Sequence, residues 1–463
     1  MQLSQVRQLR PRLDSFEFAV SAFRDAEYDR AWSYLHGLDT FPAMLLRTRV
    51  LLRLDRPADA LSELNSVDLE DLGSADAAEA TGLLAFARMS NCDPSEVESL
   101  LLDARVRACS AGSASLEADA EYLTAVYLFT QGRFEDARTA AQRVLEVVPV
   151  ESAWLETTPR VFSRFELRAR AYDFLGHLEG RELRFNEQAS YTRLALEELD
   201  KVEFFDHYIQ ANALNNLGML AAKLDISGAY EYVQDRLNTV RFSSFTRKLE
   251  FEIRRSLGCC AALRGDHIGA LREFRRSADA APTVAARIQA IVDRSTLAHE
   301  ISERTFAAEE SDYAMVLCKQ VNWNEISGDE LFSLLAVAQN LAGRDAVEAR
   351  RAFEQYVVCK RRHAVTSAAV GQLFFTGWEN QVDAEISRAE DRADRAIRAS
   401  LDAFDIFKRV GYVWRAAAVA IDLFELTGEA SYLAFAKSYA VKLPQSHLAR
   451  RVERCFNAEP ALA

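Results

Sequence analysis

The sequence has few of the patterns that mark nucleotide-binding proteins, metalloenzymes or hydrolases. It contains neither G-x-x-x-x-G-K-[ST] nor G-x-G-x-x-G, so no phosphate-binding loop is indicated. None of its seven histidines forms His-Glu-x-x-His or pairs with cysteine at the spacing of zinc ligands. No G-x-S-x-G elbow or Cys-His signature offers a nucleophile. We therefore predict no cofactor, no metal ion and no catalysis, with an enzyme assembled from distant helices as an alternative.

The Cys-x-x-Cys motif and long apolar runs are also absent. The seven cysteines include no Cys-x-x-Cys, only the adjacent pair Cys259-Cys260, which favours reduced, buried thiols over disulfides or zinc. No apolar run approaches the ~20 residues of a membrane span, and residues 1–10 lack the apolar core of a secretory signal. The sequence predicts a cytoplasmic protein that does not enter a membrane.

Proline, glycine and net positive charge are scarce as well. With 9 Pro and 18 Gly in 463 residues and few strand signals, the chain favours helices. Its length allows either several domains or one elongated repeat array. The formal net charge of −13 opposes non-specific binding to phosphate backbones, so we expect nucleic acid to be an unlikely partner.

One helical hairpin is well defined at residues 254–282. Apolar residues recur every three or four positions on both sides of a Gly-Asp turn, as expected for two amphipathic helices. Gly258 and Ala270 are the small residues at which the helices are predicted to cross, and Phe274 is the large side chain between them. Pro282 is predicted to end the second helix.

The same pattern recurs along the chain. The dipeptide Leu-Gly begins at residues 175, 217 and 257, at spacings of 42 and 40 residues. Weaker copies occupy residues 16–38, 45–67 and 121–149, the last of them ending at Pro149, and the register is uncertain in 66–118.

These motifs resemble the tetratricopeptide repeat (TPR), which has Leu-Gly in helix A, a turn with glycine, and Ala then Phe in helix B. The period near 40 is similar to that of the long-helix repeats in MalT-like, LuxR-type bacterial regulators. The resemblance implies an all-α, right-handed solenoid of antiparallel helix pairs. We expect a single TPR-like domain over 1–463, with soft boundaries near 66–118 and 303–330.

The resemblance also implies a function. TPR grooves receive peptides or protein partners, so we expect a non-enzymatic scaffold or adaptor in bacterial signalling or transcriptional regulation, with self-association also open. By family geometry Asn212 and Asn215 line the concave surface, with Arg170 and Asp173 as counterparts one repeat earlier. Together with Arg255, they are the predicted partner-binding residues.

An alternative function rests on residues 326–363. This segment begins with Ile326-Ser327 and ends with Lys360-Arg-Arg-His363, and it loosely resembles a LuxR-type helix-turn-helix. In that family the domain is terminal, whereas here the chain continues for 100 residues. A DNA-binding transcriptional regulator is therefore the second hypothesis.

Overall fold

The computed structural model describes residues 15–148, 163–202, 205–224, 228–326, 328–362 and 369–458. Within these ranges the regular elements are all helices, and none is a strand. Neighbouring helices pack in sequential pairs, which confirms the predicted all-α fold of helical hairpins. Pro149, Ser327 and His363, named in the sequence predictions, lie outside the described residues.

The chain divides into two compact units. The first contains residues up to 214 together with 239–246, and the second contains residues 215–238 and those from 247 onward. This division coincides with neither of the soft boundaries expected near 66–118 and 303–330. A single domain over 1–463 stays a prediction.

The helices of the first unit follow one another with short turns. They are α1 (15–24), α2 (Tyr28–Leu35), α3 (Phe41–Arg53), α4 (Pro57–Leu64), α5 (Ser74–Ser90), α6 (Val97–Ser110), α7 (Ala114–Thr130), α8 (Phe134–Val147), α9 (Arg164–Arg181), α10 (Phe185–Leu199) and the first half of α11 (His207–Leu224). A short 3-10 helix, Leu69–Asp71, precedes α5. The stretch of uncertain register thus holds an ordinary hairpin, α5–α6.

The second unit continues the pattern from the second half of α11. Its helices are α12 (Ala229–Leu237), α13 (Arg247–Leu263), α14 (His267–Ala280), α15 (Val284–Glu300), α16 (Arg304–Cys318), α17 (Phe332–Ala342), α18 (Ala346–Arg362), α19 (Ala369–Ala389), α20 (Ala393–Arg409), α21 (Val413–Thr427), α22 (Ala430–Ala440) and α23 (His447–Ala458). A 3-10 turn, Gly328–Leu331, precedes α17.

Local sequence signals explain where several helices begin. Ser163 and Glu166 form a capping box at the start of α9, in which each side chain accepts a hydrogen bond from the other residue's backbone N–H. Thr283 caps α15, and Asp266 caps α14 by accepting from the backbone of Gly269. These caps satisfy backbone donors that a helix leaves free at its first turn.

The predicted hairpin of residues 254–282 is formed by α13 and α14. Its turn contains Gly265 at φ +83°, a conformation that side chains disfavour. A Cβ atom on Gly258 would lie 2.6 Å from the Phe274 ring, so the phenylalanine packs directly on the glycine backbone. Ala270 is fully buried in the same cluster, beside Ala261. The partner that faces Gly258 is thus Phe274, whereas the sequence analysis placed Ala270 opposite it.

Two of the three Leu-Gly pairs have the same packing role. A Cβ on Gly176 would lie 3.2 Å from the backbone oxygen of Gln188 in α10, so glycine lets helix A approach the following helix B at Gly176 as it does at Gly258. Gly218 differs, because a Cβ there would lie at ordinary contact distances, 3.6 Å from Ser256 in α13 and 3.9 Å from Val233 in α12.

Within the first unit, its two ends meet around the buried carboxylate of Asp206. Asp206 Oδ2 accepts from Arg53 Nη2 at 2.8 Å, and Oδ1 accepts from the Tyr28 hydroxyl at 3.2 Å. The Tyr28 ring also packs edge-on against Phe245, 4.7 Å between centroids. The ion pair between Arg53 and Asp206 thus joins the two ends of the first unit.

Within the second unit, the last helix contacts the hairpin of α13 and α14. Helix α23 packs against α13, and Arg450 Nη2 lies 2.8 Å from Nε2 of His267 at the start of α14. Polar side chains on the intervening odd-numbered helices are thereby brought around one interior. None of the described helices combines the length and the hydropathy that a membrane span requires.

Candidate functional site

The interior of the second unit carries a set of polar side chains that bridge successive odd-numbered helices. We call this set the polar row. Its bridges are Arg255 Nε to Asp293 Oδ2 (2.5 Å, α13–α15), Gln339 Nε2 to Glu385 Oε1 (2.8 Å, α17–α19), Arg415 Nη1 to Gln381 Oε1 (2.9 Å, α19–α21) and Arg451 Nη2 to Asp422 Oδ1 (2.7 Å, α21–α23). Most of these side chains are half-buried, so the row keeps contact with water.

A small cleft opens in this row between α19 and α21. Its polar lining includes Gln381, Glu385 and Asp422. Burial raises the pKa of the Asp422 carboxyl, although Arg451 opposes that shift. The cleft thus combines carboxyl groups that are poorly solvated with amide groups fixed by hydrogen bonds.

Glu385 is another acid of the row with a raised pKa. Burial raises the pKa of its carboxyl to about 7, and the negative charge of Asp422 adds to this shift. The amides of Gln339 and Gln381 donate to it at 2.8 and 3.0 Å and stabilise the charged form only in part. Glu385 is consequently part protonated near neutral pH.

A pH-dependent stability follows from the raised pKa of Glu385. The unfolded carboxyl, at the usual 4.5, releases its proton before the folded one at about 7, so the folded state loses stability as pH rises between these values. We expect the effect of Glu385→Gln on the free energy of unfolding to be more favourable at pH 8 than at pH 5, by about 1–3 kcal/mol. Urea unfolding of both chains at the two pH values measures this. Burial also raises the pKa of Glu300 to about 7. Because Glu300 is present in both the wild type and the variant, its contribution to the pH dependence cancels in the comparison. An equal effect of the substitution at both pH values would contradict the assignment.

Two cations of the same interior lie against aromatic rings. Lys223 Nζ is 4.9 Å from the Phe374 centroid and 5.6 Å from that of Tyr412. Arg415 Cζ is 5.6 Å from the Phe374 centroid and 4.9 Å from that of Trp378. Such cation–π contacts hold a charged group in place without neutralising it.

The predicted partner-binding residues of the first unit are already engaged with one another or with their surroundings. Asn212 Nδ2 donates to Asp173 Oδ2 at 3.0 Å, so these two predicted residues are brought together. The Arg170 side chain is only 10% exposed and lies 3.9 Å from Asp206. Burial lowers the pKa of its guanidinium. Arg170 is therefore largely buried, whereas Asp173 is half-buried and bonded to Asn212, and their binding of a partner stays a prediction.

The two predicted residues of the second unit differ in their bonding. Arg255 is paired with Asp293, and Gln289 Oε1 accepts from both its Nη1 and Nη2 at 3.1 and 3.0 Å when the amide is oriented to satisfy both of its atoms. Asn215 Oδ1, by contrast, is buried and accepts no hydrogen bond from the described residues. Asn215 therefore has a buried acceptor without a donor, whereas Arg255 is a neutralised cation.

Of the eight residues of the polar row, the sequence analysis identified only Arg255. Arg415 has a similar local context, since it lies three residues before the small residue Ala418, as Arg255 lies three residues before Gly258. Gln339, Gln381 and Glu385 carried no motif in the sequence.

The segment proposed as a helix-turn-helix forms the repeat hairpin α17–α18. Helix α17 packs between α15 and α19, and Tyr356 and Cys359 of α18 are buried. Lys360 is paired with Glu379 and Arg362 Nη1 donates to Asn324 Oδ1 at 2.6 Å. Two of the three basic side chains at the end of α18 thus have contacts within the unit, and Arg361 is exposed.

The cysteines are free thiols, and Cys260, Cys359 and Cys455 are buried as predicted, whereas Cys92 and Cys109 are exposed. Cys259 lies beside the polar row, where burial raises its pKa to about 11. Its thiol is therefore protonated at neutral pH and is a poor nucleophile. The described residues hold no group of three or more His, Cys, Asp or Glu placed to bind a metal ion.

The described chain consists of sequential helical hairpins, and at Gly176 and Gly258 a glycine of helix A meets helix B. This arrangement is that of a TPR-like helical-repeat protein. No protein-family model matches the sequence, and no curated protein matches it. Similar solved structures include a Rap protein complexed with competence and sporulation factor (12% identity, TM-score 0.44, 89% of this chain and 98% of that chain) and a human IFIT1 dimer with PPP-AAAA (15%, 0.41, 94% of each). The APC/C hetero-tetramer Cut9-Hcn1 is also similar (12%, 0.29, 94% of this chain and 95% of that chain). No partner of this chain follows from these similarities.

Proposed function

We propose that this protein is a non-enzymatic, cytoplasmic TPR-like scaffold that binds a protein or peptide partner. The observation that carries the proposal is the polar row of the second unit. Half-buried amides, carboxylates and guanidinium groups on parallel layers of helices are the groups that recognise an extended peptide, because they can donate to its carbonyls and accept from its N–H groups. An interior with only a structural role would be at least as stable with apolar side chains, because these carry no desolvation cost.

Asn215 is the residue of the predicted set most suited to this role. Its buried Oδ1 has no intramolecular donor, so binding a peptide N–H would remove an unsatisfied acceptor. Arg255 would act mainly by positioning Asp293 and Gln289. For the first unit, Arg170, Asp173 and Asn212 are proposed separately as partner-facing residues. A role in bacterial signalling or transcriptional regulation belongs to the same proposal and rests on the MalT-like resemblance of the repeats.

Affinity capture tests the proposal. Tagged wild-type protein and the Asn215→Ala variant are used to capture partners from native lysate, and the bound proteins are quantified by mass spectrometry. We expect the variant to recover about tenfold less of a specifically enriched partner. Its free energy of unfolding should change by less than about 1 kcal/mol, because no internal hydrogen bond to Oδ1 is lost.

The matched control is Asn322→Ala, which removes the same side chain from an exposed position after α16. It should capture as wild type does. Equal capture by wild type and Asn215→Ala would remove this residue from the site. A large loss of stability in Asn215→Ala would instead show that its amide is structural.

A further inference from the structure

Basic side chains gather in the second unit where α14 and α23 begin. The turn before α14 packs directly on the loop before α23, because a Cβ atom on Gly265 would lie 2.6 Å from the Cβ of Gln445. We call the basic side chains at this contact the basic cluster. It consists of His267, the first residue of α14, and of His447, Arg450 and Arg454, which share one side of the first two turns of α23.

The contact between Arg450 and His267 leaves a donor unpaired. Arg450 Nη2 lies 2.8 Å from His267 Nε2. A guanidinium group can only donate, so Nε2 is the acceptor and the imidazole is neutral, with its proton on Nδ1. Nδ1 is buried and has no hydrogen-bond partner among the described residues. The Arg450 charge thus has a neutral partner at this contact, and the imidazole N–H has none.

The two arginines of the cluster have no acidic partner. Neither Arg450 nor Arg454 forms an ion pair with an acid in the described part of the chain, although the exposed Glu453 lies between them on α23. Arg451 of the same helix, by contrast, is bonded to Asp422 in the polar row. Both arginines of the cluster are exposed, so their guanidinium groups are accessible to a ligand.

The two nearby acids weaken the positive charge of the cluster only in part. Asp266 lies beside His267, but its carboxylate caps α14 by accepting from the backbone N–H of Gly269 at 2.9 Å. Glu300, at the end of α15, acts on Arg450. However, burial raises the pKa of its carboxyl to about 7, so it is part protonated near neutral pH.

The positive field of the cluster acts on both histidines. Burial, followed by the charges of the arginines of α23, lowers the pKa of the His447 imidazole to about 4, and His267 adds to this shift. Burial and the Arg450 charge likewise lower the pKa of His267. Both imidazoles are therefore neutral at pH 7. An anion in the cluster would reverse part of this effect, because a negative charge favours the protonated imidazole.

We propose that the basic cluster binds a single phosphate group. A phosphate dianion can accept from both arginine side chains and from protonated imidazoles, whereas a carboxylate has half the charge and fewer acceptor oxygens. The positive ends of two helix dipoles add to the attraction. Because the chain has a net charge of −13, it repels long phosphate polymers, and the proposed ligand is a small phosphate or phosphate monoester. This site is separate from the polar row and goes beyond the proposed function.

The test measures the binding of inorganic phosphate and of ethyl phosphate to the complete chain by isothermal titration calorimetry in chloride buffer. We expect saturable binding at one site. Binding of inorganic phosphate would show that the free anion is sufficient, and binding of ethyl phosphate alone would identify a phosphate ester as the ligand. Arg450→Met combined with Arg454→Met should weaken binding about tenfold or more. The matched control Arg398→Met, at an exposed arginine of α20, should bind as wild type does.

Nuclear magnetic resonance of isotope-labelled histidines gives a second readout that needs only wild-type protein, so the question is decided even if the double variant does not fold. Phosphate should shift the signals of His267 and His447 and raise their apparent pKa, while the exposed His36 stays unchanged. The proposal is overturned if neither anion binds saturably, if the folded double variant binds as wild type does, or if the two histidine signals do not move. None of these results would affect the proposed function.

Discussion

Replacing Asp206 by alanine is expected to destabilise the protein by about 3–5 kcal/mol. Its carboxylate is only 1% exposed and accepts from the Arg53 guanidinium, the Tyr28 hydroxyl and the backbone N–H of Tyr208. Removing it leaves a buried cation without a counter-charge and the start of α11 without an acceptor for its first N–H groups. Chemical unfolding monitored by circular dichroism measures the loss.

A paired substitution separates the charge from the packing. Arg53→Met combined with Asp206→Asn removes both charges and retains a hydrogen-bond acceptor at residue 206. We expect this double variant to be more stable than Asp206→Ala, since no unpaired ion remains. Asp29→Ala, at an exposed position of α2, is the matched control and should change stability by less than about 0.5 kcal/mol. A loss below about 1 kcal/mol for Asp206→Ala would show that water reaches the Arg53 charge.

The second large effect is expected at the centre of the α13–α14 hairpin. Phe274→Ala should cost about 3–5 kcal/mol, because it removes a buried ring that covers the Gly258 backbone and leaves a cavity between the helices. Ala270→Leu should cost about 1–3 kcal/mol through overpacking, since Ala270 is fully buried beside Ala261 and Phe274. Thermal and urea unfolding of each variant provide the comparison.

The contact between Phe274 and Gly258 predicts a non-additive pair. Gly258→Ala alone should be destabilising, because the new methyl group would lie 2.6 Å from the ring. In the Phe274→Ala background the same substitution should be neutral or stabilising, since the methyl group then fills part of the cavity. Additive effects of the two substitutions would show that these side chains do not meet.

The helical character and the hairpin boundaries could be predicted from the sequence because they depend on neighbours within a few residues. Apolar residues at every third or fourth position, the Gly-Asp turn at 265–266 and the Leu-Gly pairs are local signals. They located α13 and α14, and they identified the glycine at which helix A meets helix B. Even there, the choice of Phe274 over Ala270 as the partner of Gly258 required the actual rotation of α14 about its axis.

The candidate site followed the sequence only in part. Two of the predicted residues, Asn212 and Asp173, are hydrogen-bonded to each other, and Asn215 Oδ1 is buried without a donor among the described residues. However, the repeat pattern gives each helix A position the same role, so it could not distinguish Arg255, which is neutralised by Asp293, from Arg415, which has no acidic partner.

The sequence by itself determined an all-helical chain of hairpins, because amphipathic periodicity and capping depend only on residues within the same segment of about 15 residues. Only the tertiary structure decided which distant side chains share an interior. Within the second unit α23 packs against α13, and within the first Asp206 accepts from Tyr28, 178 residues away in the chain. The pairing of each interior charge therefore depends on residues that are tens to hundreds of positions apart, and no local pattern encodes that distance.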